Sequence, residues 1–137
     1  NIKHTHHRHE LDTPGKDSYR HRTAGADRVG IVSQTLNAVY WKPELGELQQ
    51  NDDKYASFAP IMQPCDIVLV EGDTHTSAPK VEVWRAEVGT SPLAEADPSI
   101  IAVVTDDPLA LDRPILRRDD LVTLGRFLFE QVTDDAS

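Results

Sequence analysis

Asp66-Ile67-Val68-Leu69-Val70-Glu71-Gly72 is the stretch whose reading decides the fold. Its unbroken apolar run, rich in β-branched residues and closed by an acid and a glycine, predicts a central strand covered on both faces. Outward from it, Ile100 to Val104 forms a second such run, ending in Thr105-Asp106-Asp107-Pro108, and Val81, Val83 and Trp84 suggest an extended piece after Pro79. Residues 1–6 are β-compatible, and Arg28 to Ser33 and Asn37 to Trp41 are brief apolar runs between polar residues. Helices are expected over three segments. The first is Asp17 to Ala26; the second is Glu44 to Phe58, where Leu45, Leu48, Tyr55 and Phe58 recur. The third is Asp119 to Val132, with Leu121, Leu124, Phe127, Leu128 and Val132 on one side. Strands interleaved with helices predict an α/β fold, a mostly parallel sheet with flanking helices, as a single domain over residues 1–137. Ala86 to Ser99 is the expected long loop.

With 137 residues, 39% of them hydrophobic, the chain has material for one core. A formal charge of −9 speaks against a general nucleic-acid binder. The charge is unevenly spread. Residues 1–28 hold six Lys/Arg against four Asp/Glu and five of the six histidines, whereas residues 29–137 hold eight against nineteen. An anionic ligand is therefore expected at the N-terminal segment. No apolar run reaches the length of a bilayer span and no secretory leader is evident, so no membrane partner and a cytoplasmic location are expected. Cys65 is the single cysteine; beside the apolar run it reads as a half-buried thiol without a disulfide.

Gly15-Lys16-Asp17-Ser18 imitates the end of a phosphate-binding loop, but Glu10 stands where that pattern needs its first glycine, and Asp17 where it needs a hydroxyl for magnesium. The segment reads instead as a turn into a helix, following Thr13-Pro14-Gly15. His4, His6, His7 and His9 could ligate zinc or nickel, although their spacing matches no defined site; the alternative is a polar strand end touching phosphate. Glu71, delivered by an apolar strand, suits a magnesium ion held through water, and Gly72 lets the chain turn close to a ligand. Asp106 or Asp107 could accept hydrogen bonds from guanine, or simply cap the turn before Pro108.

Taken together, Lys3-His4-Thr5-His6-His7, Asp12, Pro14-Gly15-Lys16-Asp17-Ser18-Tyr19-Arg20, Arg22, Ala24-Gly25-Ala26, Leu69-Val70-Glu71-Gly72 and Pro79-Lys80 resemble the adapter-protein family of molybdopterin-guanine dinucleotide biosynthesis. The similarity runs in order through Asp106-Asp107-Pro108-Leu109 to the C-terminal helix and is thinnest over residues 34–62 and 86–99. It implies a P-loop NTPase-like fold, GTP and Mg2+ as ligands, weak GTPase activity in the complete protein, and a homodimer. It also implies association with molybdopterin or its guanine dinucleotide and with the guanylyltransferase that makes that dinucleotide. Asp12 and Glu71 would then stand near magnesium or the attacking water, with His4, Thr5, His6, Lys16, Arg20, Arg22 and Gly72 around nucleotide or pterin phosphates. Asp106 or Asp107 would face guanine. In that family a strand, a Gly-rich loop and a helix precede the segment equivalent to Lys3–His7, so an N-terminally incomplete domain lacking that unit is expected. Two other functions remain open: a nucleotide-independent dimeric module for molybdopterin or the guanylyltransferase, and a histidine-based metal chaperone.

Overall fold

The computed structural model describes residues 1–5, 7, 9–43 and 52–134. It divides into two compact units, Asn1–Gln63 with Val70–Asp73, and Pro64–Leu69 with Thr74–Ser137.

In the first unit, β1 (Ile2–Lys3) pairs in parallel with β4 (Val70–Glu71), setting Ile2 opposite Val70 and Lys3 opposite Glu71. Helix α1 (Asp17–Thr23) starts after the turn at Gly15, whose φ is +84°, and stops before Gly25 at φ +106°. Both angles lie where a side chain is disfavoured, which explains why glycine punctuates the helix at each end. Strands β2 (Arg28–Val32) and β3 (Asn37–Trp41) form an antiparallel hairpin, with Val29 opposite Tyr40 and Ile31 opposite Ala38. These four residues share one face by the period of two, and all four are at least half-buried. A 3-10 turn, Asp52–Phe58, leads into the short α2 (Ala59–Met62). Of the helix expected over Glu44 to Phe58, residues 44–51 lie outside the described residues, and the remainder winds as the tighter 3-10 form.

In the second unit, β6 (Ile100–Val104) lies between β5 (Lys80–Val83) and β7 (Ile115–Leu116), both parallel to it. Flanked on both sides, its β-branched run is buried at Ile100, Ala102, Val103 and Val104. Trp84, Leu109 and Leu111 pack around the core formed by Ala94, Ile100 and Val103. The expected loop from Ala86 to Ser99 is more ordered than its Gly, Pro and acidic content suggests. It carries 3-10 turns at Ala86–Val88 and Leu93–Glu95, and both carboxylate oxygens of Glu82 accept backbone N–H groups, from Leu93 at 2.8 Å and Ala94 at 2.9 Å. Strand β7, only two residues long, gives no run that sequence reading could detect.

Helix α3 (Leu121–Asp134) is capped by Asp120, which accepts the Thr123 backbone N–H at 3.0 Å and its hydroxyl at 2.7 Å. Those bonds hold the Asp120 carboxyl below its ordinary 3.8. A depressed carboxyl pKa stabilises the folded state above the unfolded value, and that contribution fades as pH falls through the folded one. We therefore expect amide protection in the first turn of α3 to weaken on acidification below 3.8, and Asp120→Asn to remove most of this pH dependence; an unchanged acid profile would contradict it. Leu124, Phe127 and Leu128 are half-buried as the helical pattern requires, but Leu121 is 71% exposed, so the apolar stripe is only partly covered.

Three expectations are corrected. The α/β class and the mostly parallel pairing hold, but among the described residues the strands form three small sheets in place of one, parallel in two and antiparallel in the hairpin. The run Asp66 to Gly72 is not a covered central strand: only Val70–Glu71 is strand, with one partner among the described residues, and Val68, Leu69 and Val70 are exposed. The physical reason is that pairing on one side alone leaves an open edge and an uncovered face. Cys65 is exposed rather than half-buried, because the segment around it is not in a covered strand.

Candidate functional site at the ends of two parallel strands

Parallel pairing sends β1 and β4 in one direction, so Lys3-His4-Thr5 and Glu71-Gly72 leave the same edge, the C-terminal one where open α/β sheets hold ligands. The His4 backbone N–H donates to the Glu71 carbonyl at 2.7 Å, and the Lys3 ammonium meets the Glu71 carboxylate at 3.4 Å. Both side chains of that pair are mostly exposed, so Glu71 projects from the strand end into solvent with a loosely held counter-charge. Gly72 is required here twice over. Its φ is +86°, and a Cβ on it would lie 2.7 Å from the His4 carbonyl oxygen.

Directly after Gly72 comes a residue that sequence reading passed over. The side chain of Asp73 is fully enclosed; it accepts the Tyr55 hydroxyl at 2.6 Å on Oδ2 and pairs through the same oxygen with the Lys54 ammonium. Lys54 also lies over the Tyr55 ring, 5.4 Å from its centroid, and the His4 ring meets the edge of Tyr55 at 6.2 Å. The 3-10 turn is thus fastened to the strand end by a buried ionic and aromatic cluster.

The second constellation lies in the loop before α1 and in the helix itself. Asp12, 8% exposed, accepts the Thr13 N–H at 2.8 Å and the Ser18 hydroxyl at 2.9 Å on Oδ1, while its Oδ2 is enclosed without a hydrogen-bond partner. Ser18 is therefore occupied as a support for Asp12. Arg22, expected on an open positive surface, is instead bound to Glu10 at 2.5 Å, lies 5.3 Å from the Tyr19 ring centroid, and keeps an enclosed Nε without a partner. Glu10 also accepts the Asp12 N–H at 3.0 Å, and the Arg22 guanidinium holds its carboxyl below the ordinary range. Lys16 and Arg20 are exposed, the latter 4.0 Å from Asp17.

Thr5 is exposed and its hydroxyl accepts the His7 N–H at 3.3 Å. The His7 and His9 rings are 5.8 Å apart, and His6 lies outside the described residues. Among the described residues, no group of three or more His, Cys, Asp and Glu converges as a metal site. Asp106 and Asp107 follow β6 in the second unit, not the sheet that carries Glu71. Asp106 accepts the Arg118 N–H at 3.2 Å and faces its guanidinium at 3.5 Å; Asp107 accepts the Ala86 N–H at 2.8 Å and caps the turn there. Among the described residues, no helix is long and apolar enough to cross a membrane.

Residues 1–106, which span both of these constellations, match the family model described as molybdopterin guanine dinucleotide synthesis protein B. The chain belongs to that family. Similar relatives include the molybdopterin-guanine dinucleotide biosynthesis adapter protein of Escherichia coli (strain K12), 35% identical over 130 residues, which cover 94% of this chain and 73% of the relative. The protein of the same name from Haemophilus influenzae (strain ATCC 51907 / DSM 11121 / KW20 / Rd) is 34% identical over 131 residues, covering 93% and 68%. The family match ends at Asp106, so the strand-end and α1 constellations lie wholly within it and helix α3 lies outside.

Proposed function

We propose that the chain is a GTP-binding adapter in the biosynthesis of molybdopterin-guanine dinucleotide, of P-loop NTPase-like fold and cytoplasmic. In this reading it is a homodimer that works with molybdopterin and the guanylyltransferase, and the complete protein hydrolyses GTP weakly. The observation that carries the reading is the shared C-terminal edge of β1 and β4, where Lys3-His4-Thr5 meets Glu71-Gly72 with no room for a side chain at Gly72. Family membership and the names of the two relatives supply the pathway. The donor chemistry of two residues suits magnesium. Asp12 Oδ2 is an enclosed hard oxygen without a donor and Glu71 is an exposed carboxylate at a strand end, the oxygen chemistry that this ion takes. When bound, it would neutralise phosphate charge; Lys3, Lys16 and Arg20 would orient the oxyanions. A second reading, the nucleotide-independent module for molybdopterin or the guanylyltransferase, is favoured by one observation: Asp106 and Asp107 are both engaged with the protein's own groups.

The discriminating experiment is titration with GTP, with and without magnesium, followed by NMR, of the chain and of the chain preceded by the family's strand, Gly-rich loop and helix; the chain alone should bind too weakly to detect, and the effects below are read on the extended form. Magnesium should strengthen binding, and Glu71→Gln should weaken it by about tenfold or more, the scale on which groups around a metal act. Binding that ignores both magnesium and this substitution would remove the proposed role of Glu71. Capture of molybdopterin at full affinity in the absence of any nucleotide would favour the second reading.

A further inference from the structure

Among the described residues of the first unit, two polar atoms are enclosed without partners, Asp12 Oδ2 and Arg22 Nε, and one residue touches both of their owners. Glu10 receives the Asp12 N–H and the Arg22 Nη2 on the same oxygen, Oε1, while its side chain keeps 39% of its surface exposed against 25% for Arg22. A guanidinium presents donors in a fixed fork suited to a planar or tetrahedral oxyanion. Here Nη2 is engaged by one oxygen of a half-exposed carboxylate, and Nε of the same group lacks an acceptor. A single carboxylate oxygen thus occupies a position that a multi-oxygen anion could fill more completely.

We propose that Glu10 is an internal stand-in for a phosphate group, masking Arg22 until a phosphate-bearing ligand displaces it. The inference rests on the phosphate-binding reading above and adds a competitor to it. Of the groups facing Arg22, Tyr19 supports the guanidinium from its ring face, whereas the negative charge of Asp12 beside it opposes an incoming anion, an opposition that wild type and Glu10→Gln share. An incoming phosphate therefore meets a cation already held in place, and Glu10 lies outside the helix that carries Arg22. The Asp12 N–H loses its acceptor in that exchange, which adds to the barrier that a ligand must overcome.

The test is an NMR titration of the full chain with inorganic pyrophosphate at low ionic strength, following backbone amides in wild type, Glu10→Gln and Arg22→Gln, and the Arg22 Nε–H signal in the first two. Glutamine keeps a carbonyl for the Asp12 N–H while removing the competing charge. Glu10→Gln should bind about three- to fivefold more tightly than wild type, the scale of a partly exposed ion pair, with the Arg22 signal moving at saturation. Arg22→Gln should bind more weakly than either. Detectable binding in Glu10→Gln alone would support the mask equally. Equal or weaker binding in Glu10→Gln, while the wild type binds, would overturn it and leave the phosphate-binding reading intact. If pyrophosphate moves signals at Lys3–Thr5 and Glu71–Asp73 but never at Arg22, the same conclusion follows; movement of neither region would overturn both. Thermal melts of the variants verify that each is folded.

Discussion

Asp73→Ala is expected to destabilise the first unit by about 3–5 kcal/mol, because it leaves the ammonium of Lys54 enclosed without its counter-charge. The side chain of Asp73 is 0% exposed and that of Lys54 9%. One carboxylate oxygen serves both Lys54 and the Tyr55 hydroxyl, so removal takes the counter-charge from the ammonium and this acceptor from the hydroxyl. The cost of an unpaired buried charge far exceeds the net worth of the pair, which predicts a diagnostic sign. Lys54→Met added to Asp73→Ala should recover part of the lost stability, since no bare charge remains. Urea denaturation measures both; a loss under about 1 kcal/mol in the single variant would show that the pair is effectively solvated.

Gly72→Ala is the second large effect. Alanine at a φ of +86° carries a conformational cost of about 1–2 kcal/mol, and its Cβ at 2.7 Å from the His4 carbonyl oxygen forces backbone to move. The oxygen belongs to the residue whose N–H closes the β1–β4 ladder, so the shift falls on the strand ends themselves. A total loss of about 2 kcal/mol or more is expected from backbone strain of this kind. Gly89→Ala is the control, for Gly89 has a φ of +75° but nothing within 4 Å of a Cβ. The difference between the two isolates the close approach, and equal losses would mean that β1 and β4 do not cross so tightly.

How far the sequence foretold these features depended on how locally each is determined. Ile100–Val104 was legible because its composition and its surroundings agree: a run of apolar residues with a parallel partner on each side. Asp66 to Gly72 has the same composition but only Val70–Glu71 pairs, with one partner, and composition does not record how many neighbours a strand has. The turn at Gly15 and the end of α1 at Gly25 were readable from residue type alone. Asp73 was not, since an acid after a glycine reads as a solvated turn, and what buries and pairs it lies eighteen and nineteen residues earlier, at Tyr55 and Lys54. Glu10 was opaque for the same reason, its meaning being supplied by Arg22 twelve residues on. The motif residues pointed to the family, while the acids that organise the site around them depend on contacts distant in sequence.

The most direct measurement is a backbone amide NMR map, on addition of GTP with magnesium, of the chain preceded by the family's strand, Gly-rich loop and helix. Shifts should gather at Lys3–Thr5, Asp12, Lys16–Arg22 and Glu71–Asp73, the residues of the strand end and the α1 loop. Shifts confined to Ala86–Val88 and Asp106–Asp107, or an unperturbed spectrum at saturating nucleotide, would contradict the placement of the ligand at the ends of β1 and β4.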